Sequence, residues 1–400
     1  MTTHLNIPID QGGGWIISLL DAMRDHSEVE LGIVCSSSSF ERTEVFSENG
    51  ARYFCISHRP PTNSAPARIA NHLYYSYFED QALTDKYLRA FDDFKPDLIH
   101  FHGSEHSYGL IADKVAMPCV LSLQGILSEY YKVYFGRLGS FRRLTFVNEM
   151  FGYVRMRLRA RQERKIFRRV KHFLGRTEWD RACVEKYSLQ GKYYWGGELI
   201  RPEFFEYHWD ISKKTDRRIV AIVSCLPYKG IDVLLNAVAR LQIRFPDVSL
   251  HIGGNIPFSG FGAYLRNMAD ELGIRNKVTF LGKLDALQIV GELEGAHVFV
   301  LPSFLENSPN SLAEAQLIGT PIVATNAGGV SSMLDDGKTG LLCPVNDDKI
   351  MADKICRFFD DDLLAQTCSD QSRLVSRERH NSPNIINSLL DVYQKLAKGS

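Results

Sequence analysis

Two glutamates separated by seven residues lie on either side of a helix-start signal. Glu306 falls in a loop after residues 297–302, an apolar run typical of a strand buried on both faces of a parallel sheet. Ser308–Pro309 predicts a helix start, because proline at the first helical position gives up only an N–H that would otherwise have no partner. Glu314 lies one to two turns into that helix. We therefore expect both carboxylates to face one crevice beyond the end of the strand.

The start of this helix is also suited to an anion. Ligands of open α/β sheets bind outside the carboxyl ends of the strands, where a helix N-terminus offers N–H donors and a favourable dipole. Ser308, Asn310 and Ser311 are therefore candidate phosphate-binding residues. Two alternatives stay open. Glu314 could instead form a capping box with Ser311, and Glu306 could be an exposed loop acid.

The whole segment resembles the signature of the family 4 glycosyltransferases of the GT-B fold. The two glutamates are followed, in order, by an apolar helix, by the heptapeptide Gly319–Thr325 and by Gly328–Val330. That family transfers sugars from nucleotide-sugar donors with retention at the anomeric carbon. The resemblance implies that Glu306 approaches the donor sugar and that Glu314 holds the nucleotide ribose.

A lysine occupies the turn between a predicted strand, residues 218–225, and a predicted helix, residues 231–245. At the carboxyl edge of a sheet, Lys229 could neutralise a diphosphate and stabilise the charge that develops on a leaving group. A surface lysine is the alternative. The resemblance favours the first role, because the family carries a Lys-Gly pair here and its lysine binds the donor phosphates.

The family usually carries an arginine a few residues before that lysine. This chain has Ser224 or Cys225 in its place, so one phosphate-binding cation is absent from the turn. The candidates to replace it are Arg176, Arg181 and Arg201, and the sequence does not select among them.

Three glycines, residues 12–14, separate a short apolar stretch from a helical pattern. Glycine lets a backbone approach a ligand closely, although an ordinary flexible turn is the alternative. Gly13 and Gly14 resemble the family's N-terminal glycine loop, which lies beside the donor diphosphate across the cleft.

Two further predicted strands, residues 97–103 and 118–123, should end at one edge if their sheet is parallel. The first resembles the family's PDxxHxHG strand, and the second leads to a glutamine where the family commonly has histidine. Glutamine can only hydrogen bond, whereas histidine can titrate. His100 is expected to face the opposite side and pack. For His102, the alternative to a binding role is a buried histidine whose hydrogen bonds are satisfied within the protein. We predict three acceptor-side residues: His102, Glu105 and Gln124.

Residues 130–171 interleave aromatic and basic side chains. From Arg155 to Lys171 there are nine Lys or Arg residues against one acid, Glu163, on a predicted helix. Such a segment could lie on an anionic membrane surface, where each cation contributes about 1 kcal/mol. RNA binding would use similar residues, and a solvated helix face is the third alternative.

A chain of 400 residues is too long for one ordinary core, so two domains are predicted. The alternation of strands and helices indicates an α/β protein with parallel sheets. With the resemblance, this predicts the GT-B architecture of two Rossmann-like domains facing a central cleft. The predicted units are an acceptor-binding domain (1–203), a linker (204–216), a nucleotide-sugar-binding domain (217–382) and a terminal helix crossing back to the first domain (383–400).

The composition narrows the class of partner and compartment. The formal net charge is zero, so bulk charge does not indicate nucleic acid, and none is expected as a partner. The eight cysteines are scattered without a CxxC pair, which favours reduced thiols over disulfides or a zinc site. We find no signal-peptide pattern and no apolar span of about 18 residues. The sequence therefore predicts a cytoplasmic protein, with peripheral contact to the inner face of the membrane as an option.

With these features, the resemblance implies a retaining glycosyltransferase that moves a sugar from a UDP- or GDP-sugar to a glycan or lipid-linked oligosaccharide, in cell-surface polysaccharide synthesis. No Asp-x-Asp follows a strand, so no obligatory metal or other cofactor is predicted. The alternatives are a related epimerase or phosphorylase, a noncatalytic nucleotide-sugar-binding protein and an NAD-dependent oxidoreductase. The last lacks support, because no G-x-G-x-x-G with a ribose-binding acid follows a strand.

Overall fold

The computed structural model describes residues 14–24, 26, 29–37, 40–57, 81–139 and 147–399. Within these ranges the strands form three sheets, of three, four and six strands. All strand pairs in the four-stranded and six-stranded sheets are parallel, as the alternation of strands and helices predicts.

The N-terminal half holds the two smaller sheets. Its strands are β1 (Leu31–Ser37), β2 (Glu44–Glu48), β3 (Ala51–Ser57), β4 (Ile99–His102), β5 (Cys119–Ser122), β6 (His172–Gly175) and β7 (Lys192–Trp195). Its helices are α1 (Gly14–Arg24), α2 (Gln81–Phe94), α3 (Leu127–Tyr130), α4 (Val147–Arg169) and α5 (Glu178–Tyr187). Strands β4 to β7 lie in chain order, and the apolar side chains of Phe101, Leu121 and Phe173 are buried in their core.

The C-terminal half is built on the six-stranded sheet. Its strands are β8 (Arg218–Ile222), β9 (Ser249–Gly253), β10 (Val278–Gly282), β11 (Val298–Leu301), β12 (Ile322–Thr325) and β13 (Leu341–Cys343). Its helices are α6 (Glu203–Glu206), α7 (Ile231–Arg244), α8 (Gly260–Glu271), α9 (Ala286–Gly295), α10 (Asn310–Ile318), α11 (Asp348–Asp360), α12 (Asp362–Arg379) and α13 (Ser382–Lys398). Every residue of β11 and β12 is buried, as expected for central parallel strands covered on both faces.

The order of these strands creates a crevice. The sheet runs β10-β9-β8-β11-β12-β13, so the chain builds outward from β8 in one direction and then returns to place β11 on the other side of β8. A reversal of this kind leaves a crevice outside the carboxyl ends of the two central strands. Because Lys229 follows β8 and Glu306 follows β11, the strand order brings this predicted pair to one place.

Two segments join the halves. The predicted linker, residues 204–216, begins in α6 and packs on the C-terminal half, where Phe204 and Trp209 are buried and the Trp209 indole donates to the Ala296 carbonyl at 2.7 Å. Helix α13 lies against the N-terminal half, in one apolar cluster with Val120 of β5. The last helix of the chain therefore packs on the N-terminal half.

Helix α4 has a buried face and an exposed face. On the buried face, Glu163 accepts hydrogen bonds from the backbone N–H groups of Leu127 and Ser128, at 2.9 and 2.7 Å, and so caps α3. Burial raises the pKa of the Glu163 carboxyl to about 7. The opposite face exposes apolar and basic side chains, among them Val147, Phe151, Val154, Arg157, Arg161 and Lys165. None of the helices in the described ranges has both the length and the apolar composition needed to cross a bilayer.

Candidate functional site

The loop after β11 holds Glu306 in a fixed place. Ser303 Oγ donates to Glu306 Oε1 at 2.6 Å, and Thr325 Oγ1, on the neighbouring strand β12, donates to the Ser303 carbonyl at 2.6 Å. Glu306 is 4% exposed. Its carboxylate is therefore built into the site and is not the exposed loop acid considered as an alternative.

Lys229 reaches the same carboxylate from the loop after β8. Residues 227–229 form a 3-10 turn that ends at Gly230, whose φ is 68°. A Cβ at Gly230 would lie 2.1 Å from the Pro302 carbonyl oxygen, so only glycine lets the two loops approach this closely. Lys229 Nζ lies 2.6 Å from Glu306 Oε1, and the side chains are 19% and 5% exposed. Lysine is thus the partner that faces the solvent side of the crevice.

Gly328 and Gly329 pack against the backbone of the loop that carries Glu306. The Gly329 N–H donates to the Glu306 carbonyl at 2.9 Å. A Cβ at Gly328 would lie 2.2 Å from the Glu306 carbonyl oxygen, and one at Gly329 would lie 2.1 Å from that of Asn307. The close backbone approach that these glycines allow is therefore made to the loop that carries the carboxylate.

Helix α10 starts one residue later than the sequence predicts. Pro309 is its N-cap rather than its first helical residue, because the Pro309 backbone is extended, with ψ at 126°. The first turn contains Asn310 and Ser311, whose N–H groups have no partner inside the helix. Ser308 precedes the cap. The Asn310 amide lies 3.1 Å from the Glu198 carboxylate, with its nitrogen as the donor.

Glu314 lies on α10 and pairs with Arg201. Arg201 Nη2 is 2.7 Å from Glu314 Oε1, and Glu314 is 6% exposed. Burial raises the pKa of the Glu314 carboxyl, and Arg201 opposes that rise. Ser311 is already inside the helix, so it cannot be the N-cap of a capping box with Glu314. Its carboxylate pairs instead with Arg201, which lies between β7 and α6.

The three residues predicted to lie on the acceptor side, His102, Glu105 and Gln124, are at the carboxyl edge of the four-stranded sheet. The Gly125 N–H donates to Glu105 Oε1 at 2.9 Å, and burial raises the pKa of that carboxyl. Arg176 Nη2 donates to Gln124 Oε1 at 3.0 Å. Burial lowers the pKa of His102 to about 4, so this imidazole is neutral at pH 7.

His100 lies on the same face as His102, and the expectation that it faces the opposite side is wrong. Residues two apart in a strand share a face, and the two ring centroids are 4.0 Å apart. His100 contacts Ser122 Oγ at 2.7 Å and the Tyr393 hydroxyl on α13 at 2.5 Å. It therefore links this sheet edge to the last helix.

A cavity of about 40 Å³ lies at the same edge. Its polar lining includes His102, Gln124, Arg176 and Glu198, and α13 contributes Ile385. This volume holds a few water molecules rather than a whole sugar.

The three arginines that could replace the family cation are placed differently. Arg176 is buried and paired with Glu198, and Arg201 is paired with Glu314. Arg181 lies on the exposed face of α5 and pairs with acids of its own helix. Arg176 and Arg201 are therefore the two that join the acids near the start of α10.

Some predictions lie at the edge of what the structure describes. Gly13 falls outside the described residues, and Gly14 is the first residue of α1. Among the residues with described positions, no group of three or more His, Cys, Asp or Glu side chains is arranged to hold a metal ion.

The sequence matches known proteins mainly in its C-terminal half. Residues 203–375 match the family model described as "Glycosyl transferases group 1". A D-inositol 3-phosphate glycosyltransferase of Corynebacterium efficiens is 36% identical over 149 residues, which are 36% of this chain and 35% of that relative. One of Corynebacterium jeikeium, with the same name, is 39% identical over 143 residues, or 34% and 33% of the two chains. The matches thus span about a third of these relatives.

Solved structures are similar over nearly the whole chain. The sucrose-phosphate synthase of Thermosynechococcus elongatus has a TM-score of 0.73 at 19% identity, over 97% of this chain and 94% of that one. Anabaena Alr3699/HepE in complex with UDP-glucose has a TM-score of 0.64 at 17% identity, over 98% and 96% of the two chains. At such identities the similarity is one of fold.

Proposed function

Since the chain has the GT-B fold and its residues 203–375 belong to the group 1 glycosyltransferases, we propose that it is a retaining glycosyltransferase using a nucleotide-diphosphate sugar. The observation that carries the proposal is the contact of Lys229 with Glu306 at the crevice. Glu306 lies in the loop that leads directly to the start of α10. A diphosphate needs cations and N–H donors, and a sugar that loses its leaving group needs a nearby carboxylate. This sheet edge offers all three.

In the proposed reaction, Lys229 and Glu306 each stabilise one of the two charges that develop as the donor bond breaks. The diphosphate lies between Lys229 and the first N–H groups of α10. As the bond from the anomeric carbon to the phosphate oxygen breaks, its electron pair goes to the diphosphate, and the ammonium stabilises the added negative charge. Glu306 stabilises the positive charge that develops on the sugar ring. The acceptor hydroxyl gives its proton to the departing diphosphate oxygen as its own oxygen bonds to the anomeric carbon from the face that the diphosphate leaves, which retains the configuration.

The donor is proposed to be a UDP-sugar, with GDP as the second option for the base. Anabaena Alr3699/HepE, which has the same fold, has been solved with UDP-glucose, and this supports the UDP assignment. Glu314, 6% exposed on α10, is placed by the proposal at the ribose. Lys229 and α10 carry the phosphate charge in this scheme, so we propose that activity does not require a metal.

The acceptor is proposed to be a glycan or a lipid-linked oligosaccharide of cell-surface polysaccharide synthesis, held by His102, Glu105 and Gln124. The basic and apolar outer face of α4 supports a lipid-linked substrate. A soluble phosphorylated polyol is a second candidate, because the relatives of Corynebacterium efficiens and Corynebacterium jeikeium are named for D-inositol 3-phosphate.

The activity can be tested with the full chain and a panel of UDP- and GDP-sugars. We expect release of the nucleoside diphosphate from one donor, faster with acceptor than without, and unchanged by excess EDTA. An epimerase would give a new nucleotide sugar with no acceptor, and a phosphorylase would depend on inorganic phosphate. A protein that binds donors and turns none over would contradict the proposal.

The exposed face of α4 is proposed to contact an anionic membrane. Val147, Phe151 and Val154 are 61%, 49% and 38% exposed, and they precede a run of exposed basic side chains on the same helix. We expect the protein to co-sediment with phosphatidylglycerol-containing vesicles at low salt and to dissociate at high salt, because surface attraction is screened. Changing three basic residues to glutamine should weaken partitioning by about 100-fold, at about 1 kcal/mol for each cation. The triple variant is Arg157→Gln, Arg161→Gln and Lys165→Gln.

The control for this experiment is Ile243→Ser, which alters a side chain 84% exposed on α7 in the other half. It should bind vesicles like the wild type. Equal sedimentation with zwitterionic and anionic vesicles, or no sedimentation at all, would contradict the membrane assignment.

A further inference from the structure

Asn307, next to Glu306, connects the two halves of the protein through its side chain. Its Oδ1 accepts a hydrogen bond from Thr177 Oγ1 at 2.8 Å, and its Nδ2 donates to the Gln124 carbonyl at 3.0 Å. Both partners belong to the N-terminal half, whereas Asn307 lies in the loop after β11 of the C-terminal half. Asn307 is 1% exposed. Its amide is therefore satisfied by residues far away in the sequence.

The orientation of this amide is fixed by its partners. Thr177 is the N-cap of α5, and its hydroxyl oxygen already accepts from the Asp180 N–H at 3.1 Å. The hydroxyl hydrogen is thus left for Asn307. The Gln124 carbonyl can only accept, so the amide nitrogen must point toward it. A carboxylate of the same shape cannot make both bonds.

Other contacts between the two halves lie close to Asn307. Tyr130 in the N-terminal half packs edge-on against Tyr228, the residue before Lys229, at 5.5 Å between ring centroids. The Glu178 N–H donates to Ser332 Oγ at 3.0 Å. Near the carboxylate of Glu306, the N-terminal half therefore supplies part of the wall of the site.

We propose that Asn307 is a positioning residue that couples closure of the two halves to the placement of Glu306. If the halves separate, a buried amide loses both partners, and the loop bearing Glu306 loses its attachment to the N-terminal half. With the halves together, the loop is held at both ends, by Asn307 on one side and by Ser303 and Gly329 on the other. This inference rests on the proposed function, and it assigns Asn307 no contact with the substrate.

The test compares Asn307→Asp with the wild type in the full chain. The aspartate keeps an acceptor for Thr177 but presents oxygen to the Gln124 carbonyl. We expect kcat to fall about 30-fold, or about 2 kcal/mol at 1.36 kcal/mol per tenfold, while the dissociation constant for UDP changes less than threefold. The reason for this split is that the nucleotide contacts assigned to Lys229, Glu314 and the start of α10 lie in the C-terminal half. Small-angle scattering should also give a larger radius of gyration for the ligand-free variant.

Three further variants make the result specific. Thr177→Ser keeps the hydroxyl and should retain kcat within about twofold. Asn236→Ala removes an amide that bonds the Asp232 carbonyl of its own helix, away from the interface, and should behave like the wild type. Asn307→Ala repeats the comparison without the added charge, or if the aspartate variant does not fold.

The outcomes separate this inference from the proposed function. If no nucleotide sugar is turned over by the wild type, the proposed function fails, and the scattering comparison alone decides about Asn307. Wild-type kcat or a wild-type radius of gyration in both Asn307 variants would overturn the inference. A fall in UDP affinity equal to the fall in kcat would also overturn it, because Asn307 would then act on binding rather than on positioning.

Discussion

Replacing Glu306 by glutamine is expected to lower kcat by about 10² to 10³, with little change in the KM for the donor. The substitution removes the charge that stabilises the developing cation on the sugar and keeps the shape of a side chain that is 4% exposed. It also releases Lys229 from an ion pair of 2.6 Å. The lysine then remains free for the diphosphate, so donor binding should not weaken. Steady-state kinetics with a saturating acceptor measures this split between kcat and KM.

The control is Glu185→Gln, which removes a carboxylate on the exposed face of α5, where its side chain is 67% exposed. Surface substitutions of this kind usually change stability by less than about 0.5 kcal/mol, and turnover should be unaffected. A Glu306→Gln variant with wild-type kcat would remove Glu306 from the mechanism.

Replacing Lys229 by methionine is expected to weaken donor binding by about 10- to 100-fold and to lower kcat as well. A hydrogen bond to a charged group contributes about 1.5 to 3 kcal/mol, and the methionine cannot make one to the diphosphate. Among the described residues, the change also leaves Ser303 as the remaining side-chain donor to the buried Glu306 carboxylate, so its negative charge would repel the phosphates. Calorimetric titration with UDP, followed by kinetics, measures both effects.

Lys338→Met is the matched control for this variant, because the Lys338 side chain is 75% exposed and pairs with Asp335 outside the crevice. Its UDP affinity should equal that of the wild type. Equal affinities for Lys229→Met and Lys338→Met would show that the diphosphate binds elsewhere.

The GT-B fold predicted from the sequence is confirmed. The C-terminal half shows why the fold could be predicted. Its central strands are short apolar runs bounded by turn residues, and β11 (Val298–Leu301) lies within the predicted run, residues 297–302. Two outer strands are harder to recognise. β13 has three residues, and β2, which pairs antiparallel with β3, has only two apolar residues, Val45 and Phe46, among its five. Short and edge strands bury too little to produce a clear hydrophobic run.

The site was predictable in its local parts only. The spacing of Glu306, the helix start and Glu314 is encoded within nine residues, and the switch in strand order explains why Lys229 joins them. The partners of these groups lie far away: Arg201 is 113 residues from Glu314, and Thr177 is 130 residues from Asn307. Such pairs follow from the packing of the two halves, for which local sequence carries no signal. The exception is Ser303, three residues before Glu306, where an S-x-x-E spacing could have indicated the hydrogen bond.

The histidine pair shows a different limit. Because side chains alternate along a strand, His100 and His102 must share a face. The sequence alone therefore contradicts the expectation that His100 faces the opposite side. The partner of His100, Tyr393 on α13, comes from the other end of the chain, and α13 also lines the cavity beside His102.

The central claim is that a nucleotide diphosphate binds in the crevice between Lys229 and the start of α10. Thermal unfolding with and without UDP or a UDP-sugar tests it most directly. At about 100 times its dissociation constant, a bound nucleotide should stabilise the wild type by roughly 2.7 kcal/mol, and the same concentration should stabilise Lys229→Met by much less. If no UDP or GDP compound raises the unfolding temperature, or if both proteins respond equally, the account of this site is contradicted.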